Sequence, residues 1–157
     1  MTALSTYASP YAYILSSLGT DQDSGSVNGT WLTLNFNTDV SSFLNGIIDR
    51  PTTSRFRALR AGYYRISLKL NAHPTATQDR GWDHRILKNG VTSITDSYCR
   101  NNSADTVETR GTANSDFVII LLLAQNDYIE VQTNPLDSVV IRTQDYSSIL
   151  FELVKLT

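Results

Sequence analysis

The feature that most limits what this chain can become is a hydropathy period of two. It recurs from one end to the other in short segments bounded by Gly, Pro, Asn and Asp. Alternation of this kind buries one face of a β-strand, and no segment keeps a helical period over three turns. The expected class is all-β, an antiparallel sandwich or barrel of about ten strands. Candidate strands fall at 11–16, 30–37, 54–59, 63–71, 82–88, 93–100, 106–112, 116–123, 128–133, 138–142 and 147–156. Asp-Ser-Gly at 23–25, Asn-Gly at 45–46 and 89–90, Ala-Gly at 61–62 and Gln-Asn-Asp at 125–127 supply the turn chemistry between them. At 157 residues the chain makes one domain, read here as a short arm over 1–10 and a β-domain over 11–157.

Three strands differ in how they distribute apolar side chains. In 63–70 the even positions Tyr64, Ile66, Leu68 and Leu70 are apolar, and the alternate set is largely polar, so one face is core. In 117–123 both sets are apolar: Phe117, Ile119, Leu121 and Leu123 on one face, Val118, Ile120 and Leu122 on the other. The last strand repeats this, with Ile149, Phe151 and Leu153 opposite Leu150, Val154 and Leu156. A sandwich strand needs one apolar face. The second faces call for another cover, and the expectation is an obligate oligomer.

Composition closes several alternatives. Thirteen basic against 15 acidic residues leave no footprint for nucleic acid, and no apolar run reaches the roughly 20 residues of a membrane-spanning helix. Lys and Glu occur only three times each, a poor supply of exposed-helix formers. The single cysteine, Cys99, has no internal disulfide partner. Residues 1–10 lack the basic and apolar regions of a secretory leader, so synthesis in a cytoplasm is expected.

Four motifs in order then point to a family: Ala61-Gly62-Tyr63-Tyr64-Arg65-Ile66-Ser67; Arg85-Ile86-Leu87-Lys88-Asn89-Gly90; the run from Leu121 to Val131 containing Asn126-Asp127-Tyr128; and Ser148-Ile149-Leu150-Phe151-Glu152-Leu153. Over residues 50–156 the chain resembles the trimeric jelly rolls of the tumour necrosis factor and complement component 1q superfamily. Asn126 stands where that family usually has Gly, and Asn also tolerates a left-handed turn. The resemblance implies a two-sheet antiparallel jelly roll assembled as a homotrimer. It places Val118, Ile120, Leu122, Leu150, Val154 and Leu156 against neighbouring subunits. Arg65 and Glu152 then share the same outward face, as an ion pair within or between subunits.

A search for chemistry finds no ordered signature. His73 and His84 are the only histidines, and neither stands in a nucleophile elbow, a zinc-finger spacing or an HExxH motif. The expected protein is not an enzyme and needs no cofactor. One loop, Asp21-Gln22-Asp23-Ser24-Gly25, has the carboxylate spacing of a calcium loop, although Leu32 stands where a bidentate Glu would close it. Trp82, His84 and Tyr98 are candidate ligand contacts, because an exposed aromatic ring can stack on a sugar face while polar neighbours bind its hydroxyls; the alternative for Trp82, and the preferred one, is packing in the core or a subunit interface. A leaderless, disulfide-free trimeric jelly roll suggests a virion surface protein, a phage fibre or spike head or a capsid decoration. Its partners would be itself, capsid or tail proteins, and a host glycan or receptor. The alternatives are a secreted or cell-surface adhesion or signalling domain and a polysaccharide-degrading tailspike fragment.

Overall fold

The computed structural model describes residues 11–25, 27, 29–75, 80–94, 99–103, 113–136 and 140–157. The expected strands over 106–112, the arm over 1–10 and Tyr98 lie outside the described residues. The chain is an antiparallel two-sheet sandwich. Fourteen strands are described, three of them only two residues long.

One sheet is built on the longest strand, β7 (Gly62–Pro74). On one side of it lies β11 (Ala113–Leu123), paired over its whole length. On the other side come β14 (Ser148–Leu156), β1 (Tyr13–Ser17) and β4 (Thr38–Phe43), with β13 (Ile141–Thr143) and β2 (Gln22–Asp23) continuing beyond the end of β14. The second sheet runs β10 (Cys99–Ser103), β8 (Arg80–Lys88), β12 (Tyr128–Pro135), β6 (Arg55–Ala58), β5 (Ile48–Thr52). Two short pieces flank it, β3 (Leu32–Thr33) on β12 and β9 (Thr92–Ser93) on β8.

The even residues of β7 point inward as their alternation requires, and Tyr64, Ile66, Leu68 and Leu70 are all buried. Across the sandwich they meet Phe36, Phe56, Ile86, Ile129 and Val131. Rings pack at the centre: Tyr64 stacks on Phe151 at 5.1 Å between centroids, and Phe56 lies 6.2 Å from Phe151 and 5.7 Å from Phe36. The Tyr64 hydroxyl still donates to the Arg60 carbonyl at 2.6 Å, so its burial orphans no polar atom.

Among the described residues three positions outside glycine take positive φ, and all are asparagines in turns: Asn45, Asn89 and Asn126. Asn45-Gly46 and Asn89-Gly90 place two left-handed residues in succession; the second pair closes the β8–β9 hairpin, and the first turns the chain from β4 in one sheet to β5 in the other. Asn126 holds φ at 71°, the conformation that makes it equivalent to the glycine usual there in the family the sequence resembles.

Among the described strands, β2, β4 and β5 had no counterpart in the sequence reading. All six residues of β4 are exposed, so no buried face imposes a period of two, and β5 carries Pro51. The single strand expected over 30–37 is only a two-residue piece at β3. Beyond it Leu34 and Phe36 point into the core and their N–H groups donate to Val131 and Thr53 carbonyls.

Candidate functional site

The outer face of the β7 sheet is the site, and register shows how it is assembled. Reading across β11, β7, β14, β1 and β4, one row is Val118, Ser67, Leu150, Leu15, Ser41; the next is Ile120, Arg65, Glu152, Tyr13, Phe43. A third begins Leu122, Tyr63, Lys155. The inner partners on β11, Phe117, Ile119 and Leu121, pack against the core, whereas Val118, Ile120 and Leu122 are 64%, 56% and 55% exposed. Three large aliphatic side chains in line on a strand that already buries its other face form a patch, not scattered surface residues.

The remaining candidates on this face fall as follows. Leu150 is half-buried in the row of Val118, and Val154 is exposed. Arg65 and Glu152 are opposite one another and ion-paired within one chain, Arg65 Nη2 to Glu152 Oε1 at 2.7 Å. Leu156 must be reassigned. An irregularity between Leu153 and Lys155 inserts one extra residue, so that Leu156 comes opposite Gly62 and packs against the core instead of continuing the outward set. Below Val118 the small side chain of Ser67 leaves a concavity of about 460 Å³, lined by Leu15, Ser67, Lys69, Asp116, Val118 and Leu150.

At the opposite edge of the same face lies an aromatic group that the sequence reading missed. Tyr11 stacks at 6.3 Å from Phe43 and lies 5.5 Å from Tyr13, and the Tyr13 hydroxyl is hydrogen-bonded to Ser41 Oγ at 2.8 Å. Tyr11 and Tyr13 alternate in the expected strand 11–16, whereas Phe43 lies in a segment without alternation and was not joined to them.

The outer face of the second sheet is different in kind. There Arg55 pairs with Glu130 at 2.8 Å and covers the Tyr128 ring, and Arg85 donates twice to Gln132 Oε1 while lying 3.8 Å from the Trp31 ring centroid. Its polar and aromatic groups satisfy one another.

Trp82 and His84, the candidate ligand contacts, are both fully buried, which for Trp82 is the core-packing alternative. They alternate inward with Ile86 on β8, and Trp82 packs on Ala72 and Ile141. A ring enclosed between sheets presents no face to a sugar, so the surface-stacking role is withdrawn for both residues. Burial pushes the His84 imidazole down to about 3, which leaves it neutral at physiological pH. In the loop with calcium-like spacing, Arg142 holds Asp23 through two hydrogen bonds of 2.7 and 2.8 Å, and these keep the Asp23 carboxyl below its usual range. Asp21 accepts the Asp145 N–H, and the Gln22 side chain clamps the Asn35 backbone. Those carboxylates are committed to holding β2 on β13. Among the described residues no three His, Cys, Asp or Glu side chains gather.

Solved structures with the same arrangement exist. The crystal structure of murine APRIL at pH 8.0 superposes with a TM-score of 0.62, covering 92% of this chain and 99% of that one at 10% identity. The fold is a tumour necrosis factor-like jelly roll. A second murine APRIL structure, at pH 8.5, gives 0.62 at 11% identity over the same shares, and Eiger TNF from S. frugiperda gives 0.59 at 10% identity over 94% and 93%. At such identities the likeness is one of fold. No protein-family model matches this chain, and no curated protein sequence does.

Proposed function

We propose that this protein is a non-enzymatic surface module that works as a homotrimer closed through the outer face of the β7 sheet. The observation that carries the reading is the exposed line of Val118, Ile120 and Leu122 on a strand whose other side, Phe117, Ile119 and Leu121, already packs against the core. The face is also asymmetric, with aliphatic side chains on β11 and the Tyr11, Tyr13 and Phe43 group at the β4 edge. Two unlike patches on opposite edges favour a heterologous contact over an isologous pair, and such a contact gives a ring when the rotation between copies closes. The number three comes from the family the sequence resembles. Light scattering on the purified chain tests the assembly. A mass of three times 17.5 kDa is expected, and a 17.5 kDa species at micromolar concentration overturns it.

Placement on a virion surface, as a fibre head or capsid decoration binding a host receptor or glycan, is the finer part of the proposal. Three identical sites would raise weak receptor binding through avidity. Capsid or tail genes beside this one would support it. A cell-surface or secreted adhesion or signalling role is the second reading, and the likeness in fold to murine APRIL and Eiger TNF favours it. Specific binding of the trimer to purified virions separates the two.

A further inference from the structure

The interior of the sandwich is not uniform. Among the described residues twenty buried ones form one apolar core, but Ala72, Trp82 and Ile141 form a separate cluster at the far end of β7. The inward positions around that cluster are polar. His84 follows Trp82 on the same face of β8 and is opposite Thr133 on β12, while Thr143 is opposite Ala72 across β13 and β7. All four polar side chains, Trp82, His84, Thr133 and Thr143, are fully buried. Five of their atoms, Trp82 Nε1, both His84 nitrogens and the two threonine hydroxyl oxygens, have no hydrogen-bond partner among the described residues.

Buried polar groups in folded proteins are bonded to protein or to ordered water, so five orphans converging on one end of a sandwich need a common explanation. Their chemistry narrows the occupant. The indole N–H only donates, a neutral imidazole donates once and accepts once, and each hydroxyl does both. Asp83 and Arg85 alternate to the other side of β8, so neither of these charges shares the inward face. A mixed, neutral set of donors and acceptors suits water better than an ion. Because the two nitrogens of one ring point in divergent directions, one molecule cannot serve both.

We infer that the space between Trp82, His84, Thr133 and Thr143 is an internal hydration site holding at least two resident water molecules. It links the two sheets where the apolar core ends, and it gives His84 the hydrogen bonds that its neighbours do not.

Proton NMR on the ¹⁵N-labelled full chain tests this. A Trp31→Phe background leaves Trp82 as the only indole. Its Nε1–H should then show a cross-peak to the water resonance with the sign of a long-lived bound molecule. Thr133→Val, which keeps the side-chain shape but removes one anchoring hydroxyl, should cause its loss or weakening; Thr143→Val serves the same purpose if the first variant fails to fold. A folded Trp31→Phe protein with no such cross-peak at Trp82 overturns the inference. So does native mass spectrometry that finds a small organic molecule retained there, because the occupant would then be a ligand.

Discussion

Arg65 and Glu152 are register partners on β7 and β14, and their side chains meet at 2.7 Å in the middle of the face that carries Ile120 and Tyr13. In a separated subunit Arg65 is 44% exposed, so solvent screens the pair and its coupling should be about 0.5–1 kcal/mol. In the proposed trimer, closure of neighbouring copies over the face would remove that screening, and loss of one partner would then strand a charge in the contact. A double-mutant cycle with Arg65→Ala and Glu152→Ala, read by urea unfolding of the oligomer, should give a larger coupling than in a dissociated variant. Equal couplings in the two states would place the pair outside the contact.

Ile120→Asp should separate assembly from folding. The side chain is 56% exposed and its inner neighbours on β11 face the core, so the subunit keeps its fold. A carboxylate at the centre of an apolar contact should cost on the order of 2 kcal/mol or more of association, roughly thirtyfold in Kd. Val91→Asp, in the turn after β8, adds the same charge at an exposed position away from the face and should leave the mass unchanged. Sedimentation velocity on the two variants checks both halves of the statement.

The strands that build this face were legible because their side chains alternate. Tyr64, Ile66, Leu68 and Leu70 announce one buried face of β7, and the second apolar set of β11 announces an unfinished one. What escaped the sequence were features without a periodic signature. The exposed strand β4 repeats no burial pattern, so its Phe43 and the adjoining Tyr11 were not placed on the face. The extra residue near Val154 leaves the alternation of 149–156 looking intact while turning Leu156 inward. The burial of Trp82 and His84 was readable in principle, since both share a parity with Ile86. Core packing was the preferred reading for Trp82, and the facing positions Ala72, Ile141 and Thr143 show that the core extends far enough to take in His84 as well.

Gly62→Ala should be costly for a reason that its position in the first motif does not reveal. A Cβ built there would lie 2.6 Å from the Lys155 carbonyl oxygen and 3.2 Å from Leu156 Cα, both backbone, at the irregularity that turns Leu156 inward. The end of β14 must move away, at a cost of roughly 1–3 kcal/mol. Gly29→Ala, where nothing lies within 4 Å but φ is +85°, isolates the conformational part of such a penalty. Thermal melts should rank Gly62→Ala below Gly29→Ala.

Acid should unfold this protein through His84 before the carboxylates titrate. In the unfolded chain the imidazole takes up a proton near its ordinary value of 6.5, whereas burial holds it neutral in the fold down to about 3. The unfolded state therefore binds more protons across that interval, so the stabilisation is complete above about pH 6.5 and is lost as pH falls, by up to about 1.4 kcal/mol per pH unit. Asp23, whose carboxyl is held below 3.8 by Arg142, adds a loss of the same sign only at the lower end. Between pH 6.5 and about 5 the slope thus reports on His84. Urea midpoints measured across that window should fall for the native chain and flatten for His84→Gln, which keeps hydrogen-bonding capacity but cannot take up the proton. A slope that survives the substitution would place the titrating group elsewhere.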